Sequence, residues 1–174
     1  MISVGIDIGI RNLGICILKQ VGNDKEMILL DNIDLFPNKK ISKDQTVLCK
    51  KLKNCLDNYC ILLKDVKEKT YISIEQQPPK NRIMTKFSYF IFSYFIFNNF
   101  KHVKFINAKR KLDLFKDKVT YNRKFNTYKD RKLTALMDTK YYMEILNIKK
   151  DKITFDEADA FLYAFYYRDN FKLN

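Results

Sequence analysis

A chain of 174 residues is of the length of one domain, and 47% hydrophobic residues are enough to fill one core. A formal net charge of +13, with a pI near 9.5, points to a polyanionic partner and places nucleic acid first among partner classes. A membrane span is excluded for the most apolar segment, 83–97, which falls short of the ~20 residues needed and contains Lys86, Ser88 and Ser93.

Residues 2–8 and 13–19 are short apolar, β-branched runs joined through Gly9, Arg11 and Asn12, the pattern of two strands in a tight hairpin. A third strand over 27–35, ended by Phe36, Pro37 and Asn38, extends this into an antiparallel meander. Ser42 and Gln45 make a capping-box pattern, and Val47, Leu48, Leu52, Leu56, Tyr59 and Leu63 recur at helical spacing, so a helix runs to about Lys64. Cys49, Cys55 and Cys60 share that helix. With Cys16 they form no Cys-x-x-Cys pair and read as buried structural thiols. Met1 runs straight into a strand with no basic segment before it, so no secretory signal is expected and the compartment is reducing and intracellular.

Residues 71–75 alternate and carry β-branched side chains, and Pro78 and Pro79 forbid continuation, so Glu75 ends a fourth strand. A helix over 83–97, a strand over 103–107, a basic connector, a helix over 127–146 and a last helix over 155–168 complete the chain. In the penultimate helix Leu133, Met137, Tyr141 and Ile145 make one apolar face, while the single His102 reads as structural or exposed. The order β-β-β-α-β-α-β-α-α predicts one α/β domain over 1–174, a mixed central β-sheet with helices on both faces.

Between Asn107 and Leu133 ten Lys or Arg face three Asp, a net +7 in about a sixth of the chain. Phe115, Tyr121, Phe125 and Tyr128 are interleaved with them, as suits a nucleic-acid contact. The candidate DNA-binding residues are Lys109, Arg110, Lys111, Arg123, Lys124, Lys129 and Arg131, with Lys80 and Arg82 beside the proline turn.

Asp7 lies inside an otherwise apolar strand, where an ionised carboxylate costs several kcal/mol unless it is paired or bound to a cation. Glu75 likewise stands at a strand end, where helix-flanked sheets tend to bind ligands. In Thr154-Phe155-Asp156-Glu157-Ala158-Asp159, Thr154 and Glu157 make a capping box. Asp156 and Asp159, three apart, then share a helical face at its N-terminus. Small Ala158, Ala160 and Ala164 would let this helix approach the sheet and bring the pair to Asp7 and Glu75. Four converging carboxylates call for hard divalent cations, Mg²⁺ or Mn²⁺. Two ions per site would serve in-line phosphodiester displacement, with no serine, cysteine or histidine nucleophile.

The stretches VGIDIGIRNLGICIL, YISIEQQPP and TFDEADAFLYAF resemble those of the RuvC-like Holliday junction resolvases of the ribonuclease H-like superfamily. The chain's size and its Lys-, Asn- and Tyr-rich character look like the poxvirus branch. The resemblance places the family's carboxylates at Asp7, Glu75, Asp156 and Asp159, and implies a catalytic lysine for which Lys132 is the best match and Lys129 the second. It further implies a Mg²⁺-dependent homodimer that binds four-way and other branched DNA and makes paired symmetric nicks. A viral replication site in the host cytoplasm, or the virion, would be its location. Pro78 departs from the bacterial pattern, which has an aromatic residue three positions after the glutamate.

Two other readings stay open. A ribonuclease H acting on RNA–DNA hybrids would share fold and metals, but takes its glutamate from the first helix. A non-catalytic branched-DNA module would keep the basic charge and lose acidic ligands. An actin-like ATPase is disfavoured, since Gly5, Gly9, Gly14 and Gly22 all lie early and leave no later glycine-rich phosphate loop. The helix over 83–97 is apolar around its circumference. Phe87, Phe90, Ile91 and Tyr94 make one stripe, while Tyr89, Phe92, Ile96 and Phe97 crowd the other sides. A two-fold copy, approached closely at Ser88 and Ser93, would cover the surplus; the helix over 127–146 is the alternative cover.

Overall fold

Val4, Ile6, Leu13, Ile15, Ile17, Ile72 and Ile74 are almost wholly withdrawn from water, and the strands that carry them form the central sheet. In this computed structural model, which describes residues 1–22, 24–113 and 126–169, those strands are β1 (Ile2–Asp7), β2 (Leu13–Val21), β3 (Asp24–Ile33), β4 (Thr70–Gln76) and β5 (His102–Asn107). Their order across the sheet is β3-β2-β1-β4-β5. The first three run antiparallel, and β1, β4 and β5 run parallel to one another, which gives the mixed sheet the sequence predicts.

The third strand begins earlier than its apolar run, because Val21 pairs with Asp24 across a turn in which Gly22 has φ +60°. It also ends earlier. Beyond Ile33 the Leu35 amide donates to the Ile10 carbonyl (3.0 Å), and Leu35 and Phe36 drop into the core.

Side chains alternate across a strand, so the two faces of the sheet bury different residues. Val4, Ile6, Ile72 and Ile74 point to the face covered by α1 (Gln45–Leu62) and α2 (Arg82–Phe97). The α1 stripe is as expected, with Leu48, Leu52, Leu56 and Tyr59 buried, but its cap differs from the Ser42–Gln45 box. Asp44 is the N-cap and accepts from the Thr46 amide at 2.7 Å, while Ser42 Oγ accepts from the Asp44 amide at 3.1 Å. A 3₁₀ turn, Lys64–Lys69, which no periodicity announces, then feeds β4.

The opposite face carries Ser3, Gly5, Cys16 and Leu18 and is covered by α5 (Phe155–Asp169), in which residues 158–165 are buried. After the four-residue α3 (Arg110–Asp113) at the end of β5, the chain forms α4 (Tyr128–Ile145), which lies outside α5 and is held at its start by a Thr127–Asp130 capping box. Here the expected apolar face is corrected. Leu133, Met137 and Ile145 are exposed, and α4 instead turns Thr134, Ala135, Asp138 and Thr139 onto α5. Small inward residues let the two helices lie close, and Thr139 Oγ1 donates to the Ala158 carbonyl at 3.1 Å.

The α4 helix therefore does not cover α2, which packs on β4, β5 and α1 from the other side of the sheet. Along α2, Phe87, Ile91 and Phe95 are buried, whereas Ile83, Tyr89, Ile96 and Phe97 are exposed. Ser88 is buried, its hydroxyl donating to the Thr85 carbonyl, and so is not available for close approach of a copy. Among the described residues no helix is long and apolar enough to cross a membrane. The four cysteines carry free thiols, and burial pushes those of Cys16 and Cys55 up, the latter to about 11. His102 stacks on Tyr71 with ring centroids 4.4 Å apart, a packing role.

Candidate active site

Parallel pairing fixes the first half of the site. Ile6 lies opposite Ile74, so one residue further along, Asp7 and Glu75 reach the same sheet end on the α5 face. The second half comes from α5, whose start is set by the predicted capping box: the Thr154 amide donates to Glu157 Oε2 (2.7 Å), and the Glu157 amide to Thr154 Oγ1 (3.2 Å). Asp156 and Asp159 then stand on the first turns of the helix, where its dipole favours anions.

Two glycines let that helix close on the sheet. A Cβ at Gly5 would overlap the Ala160 carbonyl and the Ala164 amide, and one at Gly14 would overlap the Asp156 carbonyl. The expected role of Ala160 and Ala164 in close approach is seen, with glycine on the facing strands as its counterpart.

Three of the four carboxylates meet around one ammonium group. Lys132 Nζ lies 2.6 Å from Asp159 Oδ2, 3.2 Å from Asp156 Oδ1 and 3.7 Å from Asp7 Oδ2. Burial works against its charge, but Asp7, Asp159 and Asp156 outweigh that and push its pKa above the ordinary lysine range. Lys132 is thus placed in the cluster, whereas the second candidate, Lys129, is exposed. Asp7 is 5% exposed, and its carboxyl is pushed well above the ordinary range by burial first, then by the Glu75 and Asp159 charges, against the pull of Lys111 and Lys132. The Gln77 side-chain amide donates to Glu75 Oε2 and fixes its orientation. Wholly buried Tyr163 has its phenol pushed up by burial, then by Glu75, Asp7 and Asp159.

Asp7, Glu75, Gln77, Lys132, Asp156 and Asp159 line a cleft of about 360 Å³. Lys109 and Arg131 stand on its rim, and Lys80, Arg82, Arg110 and Lys129 are also exposed, as phosphate contacts require. Lys111 is not. It is 5% exposed, and its Nζ lies 2.7 Å from Asp159 Oδ1, so its assignment to the DNA surface is corrected to one inside the site. Arg123 and Lys124, with Phe115, Tyr121 and Phe125, lie outside the described residues. Sequence reasoning missed Gln77 and Tyr163, which lie inside the quoted stretches but whose contacts with the carboxylates only the packing reveals, and misplaced Lys111, which a four-residue helix cannot distinguish from its neighbours.

An all-oxygen donor set suits a hard divalent cation. Two observations agree with this: Asp7 is crowded by like charges, and Lys132 stands as a cation among three of the carboxylates. Among the described residues no three acidic, cysteine or histidine side chains form a ready-made ligand set. The carboxylates are spaced by ammonium groups instead.

No protein-family profile and no curated protein sequence matches the chain. Solved structures do. Thermus thermophilus RuvC, in complex with a Holliday junction substrate, superposes with a TM-score of 0.62 at 12% identity, covering 94% of this chain and 90% of that one. Fowlpox virus resolvase with Holliday junction DNA gives 0.59 at 22% identity, with 100% of both chains covered. The Fowlpox virus Holliday junction resolvase in a second crystal structure gives 0.60 at 19%, covering 97% and 98%. The chain therefore has the ribonuclease H-like fold of these resolvases over nearly its whole length.

Proposed function

We propose that the protein is a metal-dependent endonuclease that resolves four-way DNA junctions by paired symmetric nicks. The observation that carries this reading is the meeting of Asp7 and Glu75, from adjacent parallel strand ends, with Asp156 and Asp159 of a buried helix, in a cleft rimmed by Lys109 and Arg131. The likeness in fold to two proteins seen with Holliday junction DNA supports the choice of substrate. Glu75 stands on β4 rather than on the first helix, which speaks against a ribonuclease H acting on RNA–DNA hybrids.

Asp7, Glu75, Asp156 and Asp159 would hold Mg²⁺, or Mn²⁺ in its place, as two ions per site. When bound, these supply activation of the attacking water and neutralisation of the leaving oxygen. Gln77 keeps Glu75 turned into the cleft, and Lys132 holds the α5 aspartates toward the strand end while offering its charge to a phosphate oxygen. Lys80, Arg82, Lys109, Arg110, Lys129 and Arg131 would seat flanking phosphates. A four-way junction needs two cuts on opposing strands, which suits a homodimer formed through the exposed apolar residues of α2. By the same likeness the enzyme would act at viral replication sites or in the virion.

The test offers a mobile four-way junction, a plain duplex and an RNA–DNA hybrid with Mg²⁺ to the wild type and to Asp7→Asn, Glu75→Gln, Asp156→Asn and Asp159→Asn. The junction alone should be cut, and each variant should lose cleavage by orders of magnitude while still binding it. Preferential cutting of the hybrid, or unaltered cutting by these variants, would refute the assignment.

A further inference from the structure

Lys111 is the one candidate phosphate ligand that the described structure buries. A buried ammonium costs several kcal/mol unless it is well paired. Its partners are Asp159 Oδ1 at 2.7 Å and the Tyr163 ring, whose centroid lies 4.5 Å from Nζ. The two side chains of the ion pair are 7% and 4% exposed, so water screens it little. The other oxygen of Asp159 is held by Lys132 at 2.6 Å, which leaves both oxygens of this carboxylate matched by ammonium groups.

Formal charge makes the consequence definite. Four carboxylates and two ammonium groups leave −2, which one divalent ion neutralises. A second ion would leave +2 in a buried cluster unless an ammonium withdrew. The Asp7–Glu75 edge has the least ammonium around it, since Lys132 is 3.7 Å from Asp7 and Glu75 is held by the neutral Gln77 amide. The α5 edge has the most. Lys132 contacts three carboxylates and is held between strand and helix, whereas Lys111 is paired with Asp159 from a four-residue helix, Arg110–Asp113, at the end of β5.

We propose that Lys111 is a tethered counter-ion that competes with a divalent cation for Asp159, so that the site loads in two unequal steps. The first ion binds at Asp7 and Glu75, and the second binds only when Lys111 leaves Asp159. This rests on the metal-dependent reading above and deepens it.

Calorimetric titration of Mn²⁺ into the metal-free protein tests the idea without any cleavage. The wild type should show a second step weaker than the first by on the order of tenfold or more, given the strength of a buried charge contact. Lys111→Met should tighten the second step by a similar factor and leave the first unchanged, while Lys111→Arg should keep the wild-type pattern. Lysine acetylation read by mass spectrometry provides an arm in the wild type alone. Lys111 should be protected without metal and become reactive at saturating Mn²⁺, with Lys150, paired to Glu157 at 2.8 Å, as the unchanged reference. An unaltered second step in a folded Lys111→Met protein, or protection of Lys111 that persists with two ions bound, overturns the proposal. Absence of Mn²⁺ binding in both the wild type and Lys111→Met would instead refute the metal reading on which it stands.

Discussion

Asp7 shows how a single residue can serve chemistry against stability. It is buried, crowded by Glu75 and Asp159, and has Lys132 no nearer than 3.7 Å. Removing its charge relieves repulsion that the metal-free fold has to bear. Asp7→Asn should therefore raise the melting temperature in a chelator, by about 2–4 °C for each kcal/mol relieved, while abolishing cleavage. A melting temperature lowered by the substitution would show that Lys132 and Lys111 already neutralise Asp7. The same residue explains why part of the site was legible in sequence: a carboxylate inside an apolar strand stands out against its neighbours. Lys111 did not stand out, because among Lys109, Arg110 and Lys111 only the packing of a short turn decides which side chain faces inward.

At the scale of elements, the glycines of the first hairpin matter for what they omit. Gly5 and Gly14 admit the backbone of α5 where any side chain would collide with it, and α5 in turn delivers half of the carboxylates. Gly5→Ala should force α5 outward, cost about 1–3 kcal/mol as overpacking does, and reduce cleavage more than tenfold with all four carboxylates present. Thermal unfolding and a junction-cleavage assay check the two effects, and an active, equally stable variant would dissociate the helix approach from the site. Strands β1 and β4 and the cap of α5 were readable because alternation and capping chemistry are local. The inner face of α4 was not. Its contact with α5 is made by Thr134, Ala135, Asp138 and Thr139, a polar and small-residue face that a search for apolar periodicity assigns to solvent.

At the scale of the whole molecule, α2 and α4 each leave an apolar surface open, on opposite sides of the sheet. On α2, Phe97 is 83% and Tyr89 60% exposed; on α4, Met137 is 44% and Ile145 55% exposed. The α2 surface is the more aromatic of the two and carries the proposed two-fold contact. Sedimentation at micromolar concentration should give about twice 20.9 kDa for the wild type and a monomer for Phe97→Asp. A Phe97→Asp protein that stays dimeric, with Met137→Asp as the variant that dissociates, would move the contact to α4. The helix that bears Asp156 and Asp159 is also deeply enclosed, with Phe161, Leu162, Tyr163 and Ala164 all at 0% exposure. Carboxylate cluster and core thus share one helix, and the backbone amides of α5 should exchange hydrogen only when the entire domain opens. A chain that is still folding, or that has begun to unravel, carries its basic charge and can still attract a polyanion, yet has no assembled carboxylate cluster.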